Sequence, residues 1–456
     1  MVLGVRFSDI VPYTSVHLDC SFSDIVCGLE ECSKTTGEPE KHRAELLQNL
    51  HHFFVTETNP SPALVCLSVR TAFDLYLRVA RFPPDAEIIF SAINIPDMAY
   101  IARQHGLKVV PCDLDLATLG PQIHLLEKLI TCETVAIVVA HLFGRWCDVE
   151  PIIQIAGRHN LQVIEDCAEA FCGLSNLGHP KSDLVLFSFG PIKFYTAFGG
   201  AVAKIRDRAL WTRMSTLYST YPIQATEIYF WKLVKCALVF LLLDVPYFIK
   251  PGMYITDRFG IDHKKHVVSM LRGFPENLLF RLRHQPPTAL LTLLLKRLED
   301  FTEGCFKQSA ANGQYVWERL PPEILKFGQK VLANNFWLFP VLVDNPKRVA
   351  LELNKKGIDA YVGVSQLNVV HPETDKLSMS SLDNDQSQSR REVYLSSEPK
   401  VARFFINHVM YLPVNKSVPK ESLERICQAL AKVTHKRCKV PVPPPDGSDN
   451  FFLARL

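Results

Sequence analysis

Lys193 lies in the stretch Leu186 to Gly200, after an apolar run that reads as a buried strand and just before Gly199-Gly200, which permits close backbone approach. A lysine desolvated in such a place loses proton affinity and becomes a usable amine nucleophile, able to hold a carbonyl cofactor as a Schiff base. The plainer alternative is a strand-end lysine whose ammonium snorkels to water. Upstream, Leu161 to Ala170 reads as a β-branched strand ending in carboxylates, which puts Asp166 at a strand's carboxyl end, where open α/β sheets place ligands. An N-cap for a following helix is the alternative role for Asp166. Together the lysine and the carboxylate suggest pyridoxal phosphate, a cofactor that needs an anion beside its ring nitrogen to remain an electron sink.

From about Pro62 to Thr434 the chain resembles the DegT/DnrJ/StrS sugar aminotransferases, a branch of the fold-type I pyridoxal phosphate enzymes. In that family a strand ending in Glu-Asp-Ala-Ala-Gln/His-Ala precedes Phe-Ser-Phe, three residues and the Schiff-base lysine. Here Glu165-Asp166-Cys167-Ala168-Glu169-Ala170 precedes Phe187-Ser188-Phe189 and Lys193 at the same spacing. Val138 to Gly144 and Val109 to Asp115 are similar to two further family motifs. The resemblance implies Lys193 as the catalytic amine, Asp166 as partner of the ring nitrogen and Ser188 as a phosphate-contacting hydroxyl. It also aligns Ser68 to Phe73, with Arg70 and Thr71, on the turn whose helix N-terminus receives the phosphate. Arg70 as a solvent-facing turn residue is the competing role. Four features depart from the family pattern. Val69 stands for a glycine, Ile95 for an aromatic that stacks on the cofactor, and Glu169 for an amide or imidazole that covers it, while the run after Lys193 is one residue short. A second carboxylate so near Asp166 needs a cation.

These residues require an α/β framework to position them. Between Leu64 and Ile205 short β-branched runs alternate with helical patterns, which predicts βαβ units and a mostly parallel sheet flanked by helices. The expected organisation is an N-terminal arm and helix over 1–60, a large pyridoxal phosphate-binding domain over 61–310, a small C-terminal α+β domain over 311–435 and an extended tail over 436–456. Thr374 to Lys400, rich in Ser, Asp and Gln, is expected to be a mobile insertion. Pro287 to Asp300 resembles the family's long helix before the small domain.

Tyr229 to Ile255 departs from an ordinary soluble enzyme. Its uninterrupted apolar core, Ala237 to Leu243, falls short of the roughly 18 to 20 residues that span a bilayer. A segment lying in the membrane interface, with Trp231 and the lysines at headgroup level, competes with an arm packed on another subunit and with ordinary core.

A chain of 456 residues can build both cores, and its net charge of +3 is too small to argue for nucleic acid. Thirteen scattered cysteines lack metal-binding spacing, so no metal is expected. The first seven residues lack the features of a secretory signal, which makes a cytoplasmic setting the default, with peripheral membrane contact as one option. The resemblance implies a homodimeric pyridoxal phosphate-dependent aminotransferase that moves an amino group from an amino acid such as glutamate to a keto-sugar, typically nucleotide-linked; a lipid-linked ketone is the other acceptor considered. Val69, Ile95 and Glu169 motivate a competing expectation, a catalytically degenerate relative acting as a membrane-associated binding or scaffold protein.

Overall fold

The computed structural model describes residues 6–34, 39–259, 277–372 and 398–434. The expected insertion over 374–400 lies outside them except for its last three residues, and so does the tail over 436–456. Nine strands come first in the chain: β1 (Ala63–Cys66), β2 (Glu87–Ser91), β3 (Ile93–Asn94), β4 (Lys108–Cys112), β5 (Thr134–Ala140), β6 (Arg145–Trp146), β7 (Gln162–Asp166), β8 (Leu184–Ser188) and β9 (Ala201–Ile205). Seven of them form one sheet in the order β1-β9-β8-β7-β5-β2-β4. β4, β2, β5, β7 and β8 run parallel, as the alternating pattern predicts. β9 runs antiparallel to both β8 and β1.

Strand alternation divides the large core into layers. Ile88, Phe90, Val138 and Ile164 face one side, where they pack with Phe73, Tyr76 and Leu77 of α3 (Val69–Ala80). Ile89, Val110, Ile137, Val139 and Val163 face the other, toward α5 (Ile123–Leu129) and α6 (Glu150–His159). The remaining helices before the small domain are α1 (Phe22–Ser33), α2 (Pro39–Phe53), α4 (Pro96–Gln104), α7 (Arg208–Ser219), α8 (Thr226–Leu243), α9 (Pro246–Phe259), α10 (Leu278–Leu282) and α11 (Thr288–Glu299). The leucines of α11 are core, as expected: Leu290, Leu291, Leu293, Leu294 and Leu298 are all buried.

The N-terminal arm is built into this core. A capping box at Ser21 and Asp24 starts α1. Gly28 lets α1 approach α8 and α11 closely, because a Cβ there would meet Leu233 at 3.0 Å and Leu293 at 3.1 Å. The hydrophobic stretch 229–255 is two helices, since α8 stops at Asp244 and Pro246 opens α9. One side of α8 is core, with Tyr229, Leu233, Cys236, Val239 and Leu243 buried. The opposite side exposes Ile228, Trp231, Leu238 and Leu242, and α9 exposes Tyr247 and Phe248. Among the described residues no helix is long and apolar enough to cross a membrane.

Beyond α11 come α12 (Gly304–Glu318), β10 (Ala333–Asn334), β11 (Phe339–Leu342), α13 (Pro346–Asn354), β12 (Asn368–Val369), α14 (Lys400–His408), β13 (Val409–Leu412) and α15 (Lys420–Thr434). β11 pairs antiparallel with β13, under α13 and α15. Several contacts bind this unit to the preceding one, among them the antiparallel pairing of β10 with β6. β12 pairs with β3, and Asp113, one residue past β4, accepts the Val401 and Ala402 N–H groups at 2.9 Å each, capping α14.

Candidate active site

Ala140, Asp166 and Ser188 end β5, β7 and β8, and all three line a cavity of about 290 Å³ together with Lys193. Asp166 is buried, and its main chain is fixed by the His141 N–H donating to its carbonyl at 3.0 Å. Oδ1 accepts the Ala168 N–H at 3.1 Å in a turn; no helix follows, so the N-cap alternative falls. Burial pushes the Asp166 carboxyl above its ordinary pKa, against the Ala168 N–H and the positive charge of Lys193. An anion desolvated in this way binds a cationic partner strongly.

Lys193 emerges from a tight loop. The Ala197 and Gly199 N–H groups both donate to Phe189 O, at 3.1 and 2.9 Å. Inside the loop Tyr195 and Phe198 hold left-handed φ values of 56° and 58°, costly for bulky residues. Surrounding elements over-determine that conformation. Asp19 accepts the Tyr195 N–H at 2.8 Å, Arg297 donates to Thr196 O at 3.1 Å, and the Tyr229 hydroxyl donates to Ala197 O at 2.9 Å. The N-terminal arm and α8 therefore help to set the loop that carries Lys193.

The Lys193 ammonium stands 3.6 Å from Glu169 Oε1 and 4.5 Å from the centre of the Trp337 ring, with its side chain 18 % exposed. Glu169 is anchored from the other side by the Phe143 N–H, which donates to Oε2 at 3.1 Å. The extra carboxylate near Asp166 thus has its cation. Trp337 is held by its Nε1–H donating to Ile192 O at 2.8 Å. His141, which lines the cavity, and the buried Glu165 and Cys167 offer ligating atoms within 4.8 Å of one another. Glu165 already pairs with His141 Nε2 at 3.0 Å and accepts from His179 N–H and the Ser182 hydroxyl, so a hydrogen-bonded strut accounts for the cluster.

At the other end of the cavity α3 begins. Ser68 is its N-cap and accepts the Thr71 N–H at 3.1 Å, which leaves Val69 and Arg70 in the first turn, where amides point outward. Arg70 lines the cavity and is ion-paired with Asp97 at 2.5 Å. Thr71 does not line it; its hydroxyl donates to Leu282 O at 2.9 Å and lies against Ser68. Ile95 and Ala168 both line the cavity, as does Asn94. The Asn94 carboxamide is buried and favours the charged form of Asp166, although among the described residues its Nδ2 has no hydrogen bond of normal geometry.

Asn94 and Lys232 line the cavity without having been singled out as site residues from the sequence, and Trp337, beside Lys193, was not singled out either. Lys232 corrects an expectation. One of the three alternatives for 229–255 set its lysines at lipid headgroup level, whereas Lys232 lines the cavity from α8. Its position follows from helical spacing, because Tyr229 and Leu233 are both core and their side of α8 faces inward.

Residues 46–230 match the model of the DegT/DnrJ/EryC1/StrS aminotransferase family. The chain is 36% identical over 163 residues to GDP-perosamine synthase of Caulobacter vibrioides, covering 34% of this chain and 42% of the relative. It is 30% identical over 193 residues to GDP-perosamine synthase of Escherichia coli O157:H7, covering 41% and 51%. The match thus spans about half or less of these curated relatives. Among solved structures, NtdA of Bacillus subtilis with bound cofactor PMP superposes with a TM-score of 0.61 at 17% identity, covering 95% of this chain and 88% of that one. The fold is the fold-type I architecture of the pyridoxal phosphate-dependent sugar aminotransferases.

Proposed function

We propose that the chain is a pyridoxal phosphate-dependent aminotransferase that passes an amino group from an amino-acid donor to a keto-sugar, a nucleotide-linked one being favoured. The observation that carries this most is the convergence of the Lys193 amine and the buried Asp166 carboxylate on one cavity at the strand ends. The cavity fits the cofactor on independent grounds. Asn94 Nδ2 is a buried donor that bears on the Asp166 carboxyl, burial desolvates that carboxyl, and the first turn of α3 offers amides to a phosphate. The curated relatives are named as enzymes of amino-sugar synthesis, which supports the sugar acceptor.

When bound, the cofactor supplies an aldehyde for covalent capture and a ring that takes up electron density from the reacting carbon. Lys193 provides the amine that captures it. With a donor bound, its Nζ would be the group that takes the proton from the reacting carbon and returns it. Glu169, 3.6 Å away, and the Trp337 ring hold that amine in place. Asp166 holds a proton at the ring nitrogen. Ile95 closes the wall by dispersion contact where an aromatic would stack.

Purified protein loaded with the cofactor should show a visible absorbance band that glutamate bleaches and that Lys193→Ala lacks. A protein that forms no such band at any pH sinks the enzyme and leaves the competing scaffold. Turnover then separates nucleotide-linked from lipid-linked ketones. Homodimerisation is part of the same proposal, as is peripheral docking through the exposed face of α8 and α9. Trp231→Glu with Leu238→Glu separates the two in one experiment, by losing liposome flotation or by shifting the mass in solution.

A further inference from the structure

Lys232 is the cation that the roles above leave unused. Its Nζ would lie 3.5 Å from a Cβ built on Gly199, and it lines the same end of the cavity as Ser68, Val69, Arg70 and Gly200. Gly200 itself has φ +83° and donates its N–H to Leu67 O at 3.1 Å, so the glycine pair and the start of α3 are directly tied. Arg70 has its counter-ion in Asp97, whereas Lys232 forms no ion pair with any described residue. Its neighbours make matters worse. Burial lowers its proton affinity and the Arg70 charge lowers it further, opposed only by Cys236. An ammonium placed among helix N-terminal amides and a second cation is electrostatically unfavourable until an anion joins them.

The helix leaves Lys232 little freedom to turn away. Tyr229, one turn earlier, is locked by its hydroxyl donating to Ala197 O, and Leu233 is packed on Gly28 of α1. The side chain between them is therefore held over the glycine pair that follows Lys193. Resting on the aminotransferase proposal, we infer that Lys232 is a phosphate-binding residue of this chain: its ammonium, with the first-turn amides of α3, receives the phosphate monoester of the cofactor. Charge from α8 then compensates for Val69, whose side chain stands where the resembling enzymes have glycine at the phosphate turn.

The test compares pyridoxal phosphate with pyridoxal, which lacks the phosphate, for binding to wild type, Lys232→Met and Lys232→Arg of the full chain. Binding is followed by the visible band and by quenching of tryptophan fluorescence. Lys232→Met should weaken pyridoxal phosphate about 10- to 100-fold, the worth of a charge-assisted contact, and leave pyridoxal within about twofold. Lys232→Arg, which keeps the charge, should retain most of the preference for the phosphorylated form and guards against a folding defect in the methionine variant. Equal weakening of both aldehydes, or of neither, overturns the role given to Lys232. A wild type that captures neither aldehyde overturns the aminotransferase proposal instead, so the two failures are distinct.

Discussion

The two ends of the cavity are built by different means. At one end Asp166, Glu169 and Lys193 all come from strand ends and the loops that leave them within about thirty residues of sequence. At the other end the first turn of α3 is met by Arg70, paired to Asp97, and by Lys232 from a helix more than 150 residues away. Bond-making groups must sit at fixed points on a rigid sheet, so their residues and spacing are constrained together. A phosphate needs only positive potential and N–H donors, and any nearby element can provide them. Hence Asp166 and Lys193 keep the spacing of the resembling pattern even though Glu169 departs from it, while the anchoring end can draw its charge from a distant helix.

Lys193→Ala is the largest perturbation of the chemical end. It should remove covalent cofactor capture and lower transamination by about 10³-fold or more, measured in single-turnover assays, while far-ultraviolet circular dichroism stays unchanged. Activity within tenfold of wild type would dissolve the distinction between the ends. Asp166→Asn comes next, with an expected loss of about 10² to 10³ in turnover and retained capture, because the anion that holds the ring nitrogen's proton is gone while the amine remains. A variant that loses capture but turns over normally when saturated would move Asp166 to the anchoring end.

Glu169→Gln should act through pH. The carboxylate 3.6 Å from Nζ favours the charged amine, so its removal should shift the pH dependence of cofactor capture toward lower pH. An unchanged midpoint would make Glu169 a packing residue held by Phe143. The smallest effect belongs to Asp19, which braces the Lys193 loop. Burial would raise its carboxyl, but the Lys416 ammonium and other partners hold it below the usual carboxylate range. A depressed folded value adds stability above the unfolded value of about 4, and that stability disappears as pH falls through the folded one. Asp19→Asn should therefore lower the urea midpoint at pH 7 and approach wild type at pH 3; an equal deficit at both would exclude the charge as its cause.

The parallel strands and the placing of Asp166, Ser188 and Lys193 at one cavity were legible because β-branched runs and strand-end residues are local features. β9 was not singled out, since a short antiparallel strand carries the same composition as its neighbours. Thr71 illustrates a helical limit: its residue type suits a phosphate, but its position turns the hydroxyl to Leu282 O. Lys232 and Trp337 could not be placed from local pattern, because their roles depend on where α8 and the segment before β11 dock. For Lys232 the available signal was phase. Tyr229 and Leu233 bracket it on a helix whose exposed stripe runs through Ile228, Trp231 and Leu238. The same flanking lysines suggested lipid headgroups only while that phase was unread.

Two lysines share this cavity, so the decisive measurement is which one carries the cofactor. Borohydride treatment of the loaded protein followed by peptide mass mapping should place the phosphopyridoxyl mass on Lys193 alone. The label on Lys232, or on neither lysine, would contradict the account.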